Sequence, residues 1–72
     1  MFTRELTQAG RVRRFTIREA AGEGWEVREE EDSRILNHVR YRDWHRVERA
    51  LTRMTRQVSE LEAHGWQRLK TS

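Results

Sequence analysis

Residues 43–66 read DWHRVERALTRMTRQVSELEAHGW, and within them Trp44, Val47, Leu51, Met54, Val58 and Leu61 recur at alternating steps of three and four. That spacing lines the apolar side chains along one side of an α-helix. Both ends agree with it. Asp43 stands just ahead of the first apolar position, where a carboxylate accepts from a free backbone N–H, and Gly65 before the apolar Trp66 suits a left-handed C-terminal cap. The spacing predicts a helix over 43–65, about 30 Å long at about 1.5 Å per residue, which is a large element for a chain of 72 residues.

Upstream of Asp43 the period changes. RVRRFTIRE at 11–19 alternates polar residues with Phe15 and Ile17, and WEVRE at 25–29 alternates Trp25 and Val27 with charge, the period of half-buried strands. AGEG at 21–24 breaks the pattern between them as a hairpin loop. Asp32-Ser33 marks a second turn, and RILNHVRYR at 34–42 is a third strand with Ile35, Val39 and Tyr41 in one alternating set. Asn37 would share that face, so the facing of this strand stays open: the opposite register turns Leu36 and His38 inward. Residues 1–10 read either as an extra edge strand, with Phe2, Arg4 and Leu6 alternating, or as a loose arm, and residues 67–72 as a loose tail.

The expected fold is therefore α+β, a three-stranded antiparallel β-meander followed by one long amphipathic C-terminal helix packed on one face. Phe15, Ile17, Trp25, Val27, Val39 and Tyr41 form the face that Val47, Leu51 and Met54 cover. Three strands at about 4.8 Å make a sheet only about 10–14 Å wide, so a diagonal helix overhangs it. Val58, Leu61 and Trp66 then lack cover, which either the N-terminal arm or a second copy of the chain supplies. Met54, Val58, Leu61 and Trp66 are accordingly the candidate self-association residues, and a homodimer the expected assembly.

The length fits one small domain over 1–72, a size at which a single core gives marginal stability. Charged residues make up 38% of the chain and hydrophobic ones 35%, with no cysteine, so disulfides and thiolate metal sites are excluded. No apolar run approaches the roughly 18 residues of a membrane span, and residues 1–10 lack the apolar core of a signal peptide, so no membrane partner and a cytoplasmic location are expected.

The histidines, His38, His45 and His64, fall on different elements. Only His45 and Glu48 share helical i, i+3 spacing, and a metal site needs a second such pair. Ser33 is a turn residue and Ser59 lies on the helix surface, which leaves no activated nucleophile. Gly22-Glu23-Gly24 lacks the Lys-Ser/Thr of a phosphate loop. No catalytic residue, cofactor or small-molecule substrate is expected, and the run Glu29-Glu30-Glu31-Asp32 reads as a solvated hairpin end.

A second stripe runs along the helix, because Arg42, Arg46, Arg49, Arg53 and Arg56 repeat at four, three, four and three on the face opposite the apolar one. Asp43 can reach Arg46 and Glu60 can reach Arg56, whereas Arg49 and Arg53 have no acidic neighbour at i±3 or i±4. These five are the candidate phosphate contacts. The outer face of the sheet, with Arg14, Thr16, Arg18, Glu26, Arg28, Arg34, His38, Arg40 and Arg42, is expected to be mostly basic. Fourteen arginines against one lysine fit either a need for planar donors or codon bias. Two functions follow: a small non-enzymatic binding or regulatory module that self-associates through its helix, or a basic nucleic-acid-binding domain with backbone-dominated, weakly specific contacts.

Overall fold

A computed structural model describes residues 2–69; Met1 and residues 70–72 of the expected tail lie outside the described residues. The chain runs β1 (Phe2–Gln8), β2 (Arg11–Glu19), β3 (Trp25–Glu31), β4 (Arg34–Tyr41), α1 (Trp44–Ala63) and β5 (Gln67–Arg68). The architecture is α+β: one antiparallel sheet in the order β4-β3-β2-β1-β5, with the helix across one face. The expected three-stranded meander is thus four strands before the helix, and a fifth after it.

The helix forms as its sequence dictates. The Asp43 side chain accepts from the backbone N–H of His45 at 3.0 Å, capping the first turn. At the other end Gly65 takes φ +97°, and Trp66 N–H donates to Leu61 O at 3.0 Å while Gly65 N–H donates to Glu62 O at 3.1 Å. That pair of bonds is a Schellman cap, with Trp66 and Leu61 at its two apolar positions.

Residues 2–8 form a full strand because the chain turns back within two residues. Ala9 (φ +51°) and Gly10 (φ +80°) make a tight connection of the type I′ kind, which matches the twist of the strands it joins. Register pairs Phe2 with Ile17, Arg4 with Phe15 and Leu6 with Arg13, so Leu6 lands on the inner face and is fully buried. Asp32 (φ +50°) and Ser33 (φ +69°) repeat the device between β3 and β4. After the helix, Gln67 and Arg68, expected in a loose tail, pair with Thr7 and Leu6.

These two strands remove the overhang. Five strands at about 4.8 Å give a sheet about 19 Å wide, and beneath it the core is Leu6, Phe15, Ile17, Val27, Val47, Ala50, Met54, Val58 and Trp66. Trp25 and Tyr41, expected as core, are half-buried at its margin with Phe2, Leu51 and Leu61. The open question of β4 resolves as a bulge. Asn37 opposes Glu29 and Val39 opposes Val27, yet Ile35 opposes Glu30, so Leu36 is an extra residue and Ile35 moves to the other face from Val39. Ile35 and Leu36 stay about half exposed, at 53% and 50%.

Two substitutions test this backbone. Ser33→Gly, which relieves an L-residue of a left-handed conformation, is expected to raise the unfolding free energy by about 0.5–1 kcal/mol. Gly24→Ala places a Cβ 2.3 Å from the Tyr41 carbonyl oxygen at φ +75°, and is expected to lose about 2 kcal/mol or more. Chemical denaturation of both variants measures the two differences.

Candidate functional site

The sequence offers two basic surfaces, and the structure separates them. On the outer face of the sheet the register sets Arg18 against Glu26 and Arg14 against Glu30. Cross-strand neighbours of opposite sign attract. Arg14 reaches Glu5 at 3.2 Å and Glu30 at 3.9 Å. Glu26, only 8% exposed, gathers Arg18 at 3.2 Å, Arg28 at 3.1 Å, His38 at 3.3 Å and Arg40 at 3.8 Å. A hydrogen bond from His38, with the charges of Arg18 and Arg28, holds the Glu26 carboxyl below the usual carboxylate range, against the upward push of its burial. This face is a lattice of ion pairs around buried carboxylate, not a free basic surface.

The acidic run is built into the same lattice. Glu31 binds Arg11 at 2.6 Å and approaches Arg13 at 3.7 Å. Asp32 Oδ1 accepts from the Val12 N–H at 2.8 Å, and Glu29, opposite Phe15 in the register, is 9% exposed. The expected solvated hairpin end instead fastens β3 to β2, since alternation along β3 sends these carboxylates to both faces of a paired strand.

The helix row has a different status. Arg46, Arg49, Arg53 and Arg56 are all exposed, and among the described residues none of them forms an ion pair. The two acidic neighbours expected to reach them do not: Asp43 is committed to the His45 N–H, and Glu60 makes no ion pair with Arg56. Arg42 lies apart, 3.2 Å from Glu23 beside the β2–β3 loop. The row therefore has four members rather than five. It runs over eleven residues, Arg46 to Arg56, about 15 Å of helix axis, on the side of α1 turned away from the sheet.

The helix gains nothing from this row. Its first turn has no acidic residue and its last turn no basic one, so its charges do not complement its dipole, and stacked like charges at i, i+3 and i, i+4 repel by a few tenths of a kcal/mol per pair. His45 Nδ1 lies 3.5 Å from Glu48 Oε1 on the neighbouring flank, and the described residues hold no group of three side chains placed to bind a metal ion. No helix of the structure is long and apolar enough to cross a membrane.

The candidate self-association residues are used inside the chain. Met54, Val58 and Trp66 are 0%, 3% and 8% exposed, and Leu61 is half-buried against the same cluster. Leu6 of β1 lies in that cluster with them, and β5 follows directly after Trp66, so the overhang that argued for a second copy is filled by the chain itself. Sequence reasoning missed a cleft at the other end of the helix, lined by Phe2, Ile17, Glu19, Trp25, Trp44, Val47 and Leu51. The available signal was the position of Glu19, which shares a strand face with Phe15 and Ile17.

The Glu26 cluster fixes a pH dependence. A carboxyl held below its ordinary value of 4.5 contributes stability above that pH and loses it as the pH falls through the lower folded-state value. Glu26→Gln is therefore expected to be less stable than the parent at pH 7, with the gap closing below about pH 4.5. Thermal melts from pH 3 to 8 measure the gap, and a constant difference across that range would remove Glu26 from the acid limb.

Compared with protein-family models, curated proteins and solved structures, the chain matches none.

Proposed function

We propose that this domain is a non-enzymatic binding module that meets the sugar-phosphate backbone of nucleic acid through the exposed face of α1. The observation that carries the reading is the contrast between two sets of arginines. Those of the sheet are largely neutralised by carboxylates within 4 Å, while Arg46, Arg49, Arg53 and Arg56 stand in line with no acidic partner among the described residues. An unpaired row of planar guanidinium groups lowers its own repulsion when phosphates come between its members. Neutralising a phosphate also releases condensed counterions, which drives association without base contacts.

The reading implies weak sequence preference. The core holds Phe15, and Trp25 and Tyr41 pack at its margin, so no row of aromatic platforms stands on the arginine face for base stacking. Contacts are then to backbone. Self-association through Met54, Val58, Leu61 and Trp66 is not part of this proposal, because those side chains are occupied within one chain.

Binding to a 20-nucleotide single strand and to a duplex of the same length, followed by fluorescence anisotropy from about 20 to 200 mM salt, tests the proposal. The expected result is a log–log salt slope near −3, about 0.7–0.9 per contact for four contacts, with little dependence on sequence. Arg49→Glu with Arg53→Glu is expected to weaken binding more than tenfold and to leave the melting temperature unchanged or higher, since like-charge repulsion on the helix falls. Affinity weaker than about 100 μM at the lowest salt, or a double variant that binds as the parent does, overturns the proposal.

A further inference from the structure

The cleft at the N-terminal end of α1 combines features that the helix row does not use. It encloses about 250 Å³ and is lined by Phe2, Ile17, Glu19, Trp25, Trp44, Val47 and Leu51. That volume is just below the range of drug-sized ligand sites, about 300–1,000 Å³. Trp25 and Trp44 flank it with ring centroids 5.1 Å apart and planes tilted by 56°. Trp44 remains 45% exposed although it starts a helix whose other apolar side chains are largely covered.

Glu19 gives the cleft its sign. It belongs to the inward-facing set of β2 and lies opposite Trp25 in the register, yet it forms no ion pair or hydrogen bond among the described residues. Arg18, the adjacent residue, is held by Glu26 on the other face, and Arg4, whose guanidinium lies 5.0 Å from the Phe2 ring centroid, does not line the cavity. A carboxylate at the margin of an aromatic, otherwise apolar cleft attracts cations. The electron-rich faces of indole rings attract them too.

We infer that this cleft binds a small organic molecule bearing an alkylated ammonium group, held against the paired rings of Trp25 and Trp44 and neutralised by Glu19. The alkylation follows from the lining. A bare ammonium requires three hydrogen-bond acceptors, and only Glu19 among the lining side chains is an acceptor. A quaternary ammonium requires none, spreads its charge over methyl groups, and buries those groups against Phe2, Leu51 and the indoles. The site is separate from the arginine row and stands whether or not that row binds nucleic acid.

The probes are choline and its uncharged carbon isostere 3,3-dimethylbutan-1-ol, titrated into the full chain with the Trp indole N–H resonances as readout. Choline is expected to shift the Trp44 and Trp25 signals saturably in the millimolar range, and the isostere to bind at least tenfold more weakly. Glu19→Gln is expected to weaken choline several-fold while leaving the isostere unchanged. Trp44→Ala, a change at an exposed ring, is expected to weaken choline about tenfold with the strand resonances intact. Equal binding of the two probes, or no saturable shift up to about 50 mM, overturns the inference. A trimethyllysine peptide binding at least tenfold more tightly than choline would overturn the free small molecule as the occupant in favour of a protein side chain.

Discussion

Everything in this fold depends on the sheet being wide enough to take the whole apolar stripe of α1. The helix has little to hold it together alone, with a row of like charges along one side and neither end complementing its dipole. Its stability comes from removing Val47, Ala50, Met54 and Val58 from water. β2 and β3 supply Phe15, Ile17 and Val27 for half of that stripe. Leu6 of β1 and Trp66, just past the C-terminal cap, supply the rest, and Gln8 Nε2 adds a hydrogen bond to the His64 carbonyl at 2.8 Å, tying the end of the helix to the far side of the sheet.

The same geometry sorts the charges. Pairing strands brings side chains from distant parts of the sequence into opposition, and here opposite signs meet across β1, β2, β3 and β4. A helix offers only neighbours three and four residues away, and in this one those neighbours repeat the same sign from Arg46 to Arg56. One composition therefore yields a neutralised sheet face and an unneutralised helix face. A net charge of +3 describes neither.

How much of this was legible in the sequence follows from the range of each interaction. The helix, both of its caps and the inward set Phe15, Ile17 and Val27 rest on spacing and local bonds, and they read directly. β1 was ambiguous because Arg4 interrupts its two apolar residues and its turn is Ala-Gly, without the Asn-Gly that announces a hairpin. β5 has two residues and exists only through its partner. The facing of β4 was undecidable from alternation, since a bulge at Leu36 breaks the period that alternation assumes. Within the site, helical spacing revealed the arginine row. The pairing of Arg42 with Glu23, and the meeting of Glu19 with Trp25 and Trp44, needed the tertiary structure.

The late return of the chain to β1 bears on how the molecule assembles. β1 to β4 are joined by short turns, two of them of only two residues, so each successive pairing closes a small loop at little entropic cost. The register of β5 joins Leu6 to Arg68 and Thr7 to Gln67, and Leu69 N–H donates to Glu5 O at 2.8 Å, contacts that enclose nearly the whole chain. A closure of that span, secured by two paired residues, is expected to form after the hairpins and the docked helix, and to open before them. Amide protons of the β1–β5 edge are therefore expected to exchange through local opening, and those of β2 and β3 only on global unfolding.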